Sequence, residues 1–336
     1  RSGHQGGVIS LCDVTEGNPY LKARGQQEAA LRREGAEVVV IEYAMEALTG
    51  ARSHDPLAKF GRWIGRICSA PDGLAYLMPW VKLAEEVRRA LAGREFDGFL
   101  CYHFDALAAV HPLCLSPMLA VVGDLWHLPG YFRWREGSFS LSKYAVRGIR
   151  VALESMIAER AMSTLLASTT SCGAFAGHYA EWLKAHGFPK TLYFRSPVPD
   201  AAGPKWDLLR SEARAGRTGG KHRVLVIGDL ATTSTSSGLR AVAHAVLPRL
   251  VDKFGEDGFD LRLVGGGAPP NDIAPALRKP YVYFAGRVVP ADPEFLAADV
   301  MIVPTNIPLG IRVRVITAWS FGCPVVAHRA NASGIP

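Results

Sequence analysis

Three groups of residues have the types and spacing for chemistry. Arg312 and Arg314 open a helix-forming run, Ile311 to Phe321, which follows a short apolar run, Val300 to Val303, and a turn-rich stretch, Pro304 to Gly310. Guanidinium forks beside the free N–H groups of a helix start suit phosphate oxygens, and two of them suit a diphosphate. A second group closes two other apolar runs: His103 and Asp105 follow Asp97 to Tyr102, and Asp124 and His127 follow Met118 to Gly123. The third is built of small residues. Gly228 and Asp229 end the run Arg223 to Ile227, Ala231 to Ser237 is nearly all hydroxylated and includes Thr232, and Gly265, Gly266 and Gly267 follow Phe259 to Val264. Small-residue turns before helices offer hydrogen bonds to phosphate. Each group also has a plain reading: solvated arginines, packed or surface histidines, ordinary turns.

These residues matter only if regular elements bring them together. The apolar runs Val8–Val14, Val38–Ile41, Asp97–Tyr102, Met118–Gly123, Arg223–Ile227, Phe259–Val264, Tyr281–Phe284, Val300–Val303 and Pro324–Val326 read as buried strands. Helix-forming stretches lie between them, including Tyr20–Glu34, Gly238–Phe254 and Pro293–Ala298. Thr164–Ser168 reads as one more strand, followed by a helix reaching His186. Alternating strands and helices predict parallel α/β sheets, whose carboxyl strand ends are where such domains hold ligands.

With 336 residues, of which 49% are hydrophobic, the chain can build two cores. Asp200 to His222 is rich in Gly, Ala, Pro and charge with little periodicity. It predicts domains at 1–205 and 223–336 joined by a linker, 206–222. The net charge of +7 is spread over both halves with no long basic run, which argues against nucleic acid and for an acidic ligand or an anionic surface. Cys12, Cys68, Cys101, Cys114, Cys172 and Cys323 form no CxxC pair and read as reduced thiols of a cytoplasmic protein, with no metal site. No apolar run reaches the ~18 residues of a membrane span. Phe60, Trp63, Ile64 and Ile67 share a helical face with Arg62 and Arg66 one turn apart, a spacing that suits a core face or the inner surface of a membrane. Lys143, Arg147 and Arg150 share another face, open to solvent or to an acidic acceptor such as a lipid-linked phosphate.

The run Ala298-Asp299-Val300, Pro304-Thr305, Gly310-Ile311-Arg312, Thr317-Ala318-Trp319-Ser320 and Gly322-Cys323-Pro324-Val325-Val326 resembles the donor-binding segment of group 1 glycosyltransferases of the GT-B fold. The order of elements extends the resemblance over nearly the whole chain. It implies two Rossmann-like, doubly wound domains facing across a cleft, and retaining transfer of a sugar from a nucleotide-sugar co-substrate, with neither cofactor nor metal. Further helices are expected beyond Pro336.

Residue by residue, the resemblance assigns donor binding to Gly228, Asp229, Thr232, Gly266, Arg287, Val288, Pro308, Leu309, Gly310, Ile311, Arg312, Arg314 and Thr317. It matches Asp124 to the family's aspartate, while Gly123 stands where the family has a histidine and His127, one helical turn on, is the substitute, so that catalysis falls to Asp124 and His127; Gly17, Asn18 and His103 lie on the acceptor side. Four departures stand out in the donor site. Leu309 and Thr317 replace the two glutamates of the family, the second of which holds the ribose; Asp229 and Ser237 replace an arginine and a lysine that bind the diphosphate. Arg312 and Arg314 are the compensating cations. The implied partners are a nucleotide-sugar donor and an unidentified acceptor. Two other readings stand beside transfer: a non-catalytic GT-B protein that binds a nucleotide or glycan, and a sugar-nucleotide epimerase.

Overall fold

The computed structural model describes residues 6–13, 21–43, 61, 78–136, 141–195, 203–217 and 219–335. In order, these form β1 (Gly7–Asp13), α1 (Leu21–Arg33), β2 (Glu37–Tyr43), α2 (Met78–Val81), α3 (Ala84–Leu91), β3 (Phe99–Tyr102), α4 (Phe104–Val110), β4 (Met118–Val122), α5 (His127–Arg135), α6 (Leu141–Ala167), β5 (Ser171–Ala174), α7 (Gly177–Ala185) and β6 (Leu192–Tyr193). They continue as α8 (Trp206–Ala215), β7 (His222–Ile227), α9 (Thr233–Ala241), α10 (Leu247–Phe254), β8 (Phe259–Val264), α11 (Ala274–Leu277), β9 (Val282–Gly286), α12 (Asp292–Ala297), β10 (Val300–Val303), α13 (Val313–Ser320) and β11 (Val325–Ala327). The chain divides into two compact units, residues 1–130 with 142–173 and residues 131–141 with 174–336.

The second unit holds a five-stranded sheet of order β11-β10-β7-β8-β9, parallel at every pairing. Its strands are near-continuous apolar runs because helices cover both faces. Side chains alternate across β7: Val224 and Val226 join one core with Leu239, Leu247, Leu261 and Leu263, while Leu225 joins the other with Phe295, Met301, Val303, Val315 and Ala318. The chain runs from β7 outward to β9, then returns past β7 to β10. The strand order therefore reverses between β7 and β10, the switch point where open α/β sheets hold ligands.

In the first unit β1 and β2 pair in parallel and pack through Ile9, Leu11 and Ile41 on Leu83, Val87 and Ala109. In the same unit, Phe99 to Tyr102 of β3 run in parallel register with Met118 to Val121 of β4.

Three expectations change. Thr164–Ser168 is not a strand: α6 runs to Ala167 and the strand is Ser171–Ala174. Ala161, Met162, Leu165 and Leu166 are all buried at helical spacing, and a short apolar run does not by itself tell a buried helix from a strand. The hydroxylated stretch before Gly238 is no turn either, for α9 starts at Thr233. Ser236 and Ser237 donate their hydroxyls to the Thr233 (3.2 Å) and Ser234 (3.0 Å) carbonyls, which satisfies them inside the helix. Finally, the aperiodic stretch from Asp200 to His222 carries α8. Arg210, buried there, donates to the carbonyls of Phe295 (3.0 Å) and Ala298 (2.8 Å), a cation at the carboxyl end of α12 where the helix dipole favours it.

Candidate functional site

At the carboxyl ends of β7 and β8 the backbones approach as closely as glycine allows. Gly228 N–H donates to the Val264 carbonyl and Leu230 N–H to the Gly266 carbonyl, both at 2.8 Å. Gly265 has φ +152°, and a Cβ there would lie 1.9 Å from the Gly228 oxygen. Only glycine fits this contact. Asp229 folds its own turn, its Oδ1 accepting from Ala231 N–H at 3.0 Å. Thr232, the N-cap of α9, gives its hydroxyl to the Asp229 carbonyl at 2.9 Å.

Arg314, in the first turn of α13, reaches back over this glycine turn. Its Nη1 hydrogen-bonds the Ile227 carbonyl, and a Cβ on Gly228 would meet the guanidinium at 2.3 Å. Glycine at 228 is therefore room for an arginine. Burial and then the positive charge of Arg312 hold the Arg314 pKa down to about 10, so at neutral pH two mutually repelling cations are kept close together. Arg312, buried, donates Nε to Asn331 Oδ1 at 3.0 Å and Nη2 to the Ile307 carbonyl at 2.7 Å. Asn331 in turn donates to the carbonyls of Val303, Thr305 and His328. One buried amide thus ties the end of β10 and its loop to the residues after β11.

Pro308, Leu309 and Ile311 are half-buried in that loop, and Gly310 donates its N–H to Tyr179 Oη at 2.7 Å. Thr317 bonds its hydroxyl to the Val313 carbonyl one turn back. Arg287 is exposed after β9, while Val288 packs on the core cluster of Phe295 and Met301. The structure brings Arg314 onto Gly228, with Asp229 next in the chain, Gly266 bonded to Leu230 and Arg312 acting on Arg314 by charge; Arg287 and Val288 follow β9, two strands from β7. Asn331 and Tyr179 carry no sequence signal, since each acts on a residue distant in the chain.

In the first unit, His103 and Asp124 follow the adjacent strands β3 and β4. Asp124 is exposed and its charge acts on His103. Asp105, in the first turn of α4, has its carboxyl pushed up to about 6 by burial. His127 starts α5 with its side chain only 10% exposed, and its Nε2 is 3.7 Å from Glu159 Oε1. Gly17 and Asn18 lie outside the described residues, as does the Phe60–Ile67 stripe apart from Gly61. Arg147 and Arg150 are exposed on α6, Arg150 paired with Glu154 at 2.8 Å. Among the described residues no helix is long and apolar enough to cross a membrane.

Residues 221–336 match the family model described as glycosyl transferases group 1. No curated protein matches the chain. Among solved structures, sucrose-phosphate synthase from Thermosynechococcus elongatus aligns over 98% of this chain and 82% of its own, with TM-score 0.59 and 15% identity. HepE of Anabaena, in complex with UDP and glucose, aligns over 98% and 82%, with TM-score 0.54 and 13% identity. A UDP-forming trehalose-phosphate synthase from Burkholderia xenovorans aligns over 96% and 84%, with TM-score 0.56 and 10% identity. At such identities the likeness is one of fold, and the fold is GT-B.

Proposed function

Because residues 221–336 form a group 1 glycosyltransferase domain in a chain of GT-B fold, we propose that the protein takes its sugar from a nucleoside diphosphate sugar held at the β7–β10 switch point. The observation that carries this is the pair Arg312, buried, and Arg314, half-buried beside Gly228. Two cations kept close in a site where burial already lowers one pKa are stabilised by an anion, and a departing diphosphate is such an anion. Fixed positive charge beside developing negative charge needs no reorganisation during bond cleavage. Backbone N–H groups at the starts of α9 and α13 add to that field. Sugar transfer with retention to a hydroxyl acceptor belongs to the same reading. The exposed Arg147 and Arg150 on α6 are the surface offered to an acidic acceptor or an anionic membrane.

A second reading has an observation of its own. Thr317 has its hydroxyl turned onto Val313, Leu309 is apolar and Asp229 closes its own turn, so the donor positions present no carboxylate to a ribose. A protein that binds a nucleotide or glycan without turnover fits this.

Calorimetry with a panel of nucleoside diphosphates and their sugars decides between these, with UDP tested first because structures of the fold hold it. Transfer predicts a preferred nucleotide, release of its diphosphate from the sugar nucleotide, and affinity lost at least a hundredfold when Arg312 and Arg314 are both replaced by alanine. Arg314→Lys keeps the charge, and in it the loss is read with the fold retained. Unchanged affinity in both variants, or no binding to the wild type, refutes the donor site; binding without turnover favours the second reading.

A further inference from the structure

Helix α6 is apolar on two faces, and the fold buries only one of them. On the inner face Ile157, Ala161, Met162 and Leu165 are buried. On the outer face Val146, Ile149 and Met156 are 69%, 65% and 51% exposed. With exposed Ala152 between the last two, they follow one another at intervals of three, three and four residues, which sets them in one line along a helix. Single exposed apolar side chains are ordinary on a protein surface, but a row of three large ones along a helix is not scatter.

The charge around this row is positive and stands at its ends. Arg150 follows Val146 by four residues and Arg160 follows Met156 by four, so each lies one turn further along the same side. Both are exposed, as is Arg147. The acids of the stretch are already engaged: Glu154 accepts from Arg150 Nε at 2.8 Å, and Glu159 Oε1 lies 3.7 Å from His127 Nε2. Arg150 keeps 62% of its side chain exposed in that pair. The result is a convex apolar ridge of about three turns edged by arginine. On a bilayer such a ridge sinks to the acyl boundary, while arginine stems lie along the apolar layer and their guanidinium groups stay at the phosphates. Anionic headgroups complement these arginines and the net charge of +7.

We propose that α6 is a docking surface for an anionic membrane, with Val146, Ile149 and Met156 between the lipid headgroups and Arg150 and Arg160 at the phosphates. One short stripe gives reversible attachment, not permanent insertion. The proposal rests on the sugar-transfer reading for its use, the capture of an acceptor carried by lipid. The binding itself is measured without donor or acceptor.

The test floats the full chain with vesicles of phosphatidylcholine alone, or of equal parts phosphatidylcholine and phosphatidylglycerol. Wild type is expected to rise with the second and not with the first. Val146→Ser with Ile149→Ser keeps every charge and is expected to lose about tenfold or more of that binding. Arg150→Gln with Arg160→Gln keeps the apolar row and is expected to lose about as much. All four side chains are exposed, so Tm should stay within about 2 °C of wild type in both variants. Nucleoside diphosphate affinity, measured apart, should be unchanged in the serine variant, which separates failure of the membrane surface from failure of the sugar-transfer reading. Undiminished vesicle binding by the serine variant assigns the attraction to net charge alone and overturns the proposal, as does a wild type that leaves the anionic vesicles bare. A wild type that ignores the vesicles but is dimeric by light scattering, and is made monomeric by the same two serines, gives the face to a second copy and overturns it as well.

Discussion

The carboxyl edges of the β3–β4 pair and of the β7–β8–β10 strands solve opposite problems. At β7–β10 the charge is buried and the surface is backbone: Arg312 and Arg314 point inward onto carbonyls, and glycines draw the strand ends together. At β3–β4 Asp124 and His103 are exposed, Asp105 and His127 are largely covered, and the backbone strain is carried by one residue, His103. The first arrangement gives a fixed electrostatic field that tolerates little change in shape. The second holds an exposed side chain on a strained backbone.

Substitutions that treat the two edges differently break or sharpen this contrast. The largest effect is expected from Gly265→Ala, which forces a Cβ into the Gly228 carbonyl. It should destabilise the second unit by ~3 kcal/mol or more, read as a fall in urea midpoint, whereas His103→Gly on the other edge should raise stability. Opposite signs at the two positions are the signature sought; a neutral Gly265→Ala refutes the close-contact account.

Next in size is Asp105→Asn. Burial raises the Asp105 carboxyl from its ordinary 3.8 to about 6, so the folded chain holds that proton more tightly than the unfolded chain. Stability from this group is present below the ordinary value and is lost as pH rises through about 6. The amide escapes that loss. Asp105→Asn should therefore gain about 2 kcal/mol at pH 7.5, allowing for partial exposure and for the helix N-terminus that favours the carboxylate, and almost nothing at pH 4. A gain that does not depend on pH assigns the effect to something other than ionisation.

The smallest effect is expected at Thr317. Its hydroxyl bonds within its own helix, so Thr317→Glu should shift stability by no more than ~0.5 kcal/mol. A carboxylate there should tighten the preferred nucleoside diphosphate up to tenfold by calorimetry, the result expected if a ribose lies beside it. Unchanged affinity puts the ribose elsewhere.

Much of the frame was legible in residue order. Val224 to Ile227, Phe259 to Val264 and Val300 to Val303 are apolar runs bounded by glycine, proline or aspartate, and each became a buried parallel strand, because a sheet covered on both faces needs apolar residues at every position. The boundary near Thr164 was not legible, since a buried helix and a buried strand present the same short run. The donor positions were legible as positions only. Arg312 and Arg314 were marked by their place after a strand, but their inward turn depends on Asn331 and on the carbonyls of Ile307 and Ile227.

The sequence by itself determined two α/β units, the strands whose ends carry polar residues, and the glycine-rich turns between strand and helix. These follow from local pattern, which residues near in the chain can express. Tertiary structure alone decided which glycine makes room for which side chain: Gly228 for Arg314 and Gly123 for His103. It also decided that His103, rather than His127, is the histidine held in strain. Both depend on contacts between residues distant in the chain, and on hydrogen bonds from a neighbouring strand and helix that fix one φ angle together.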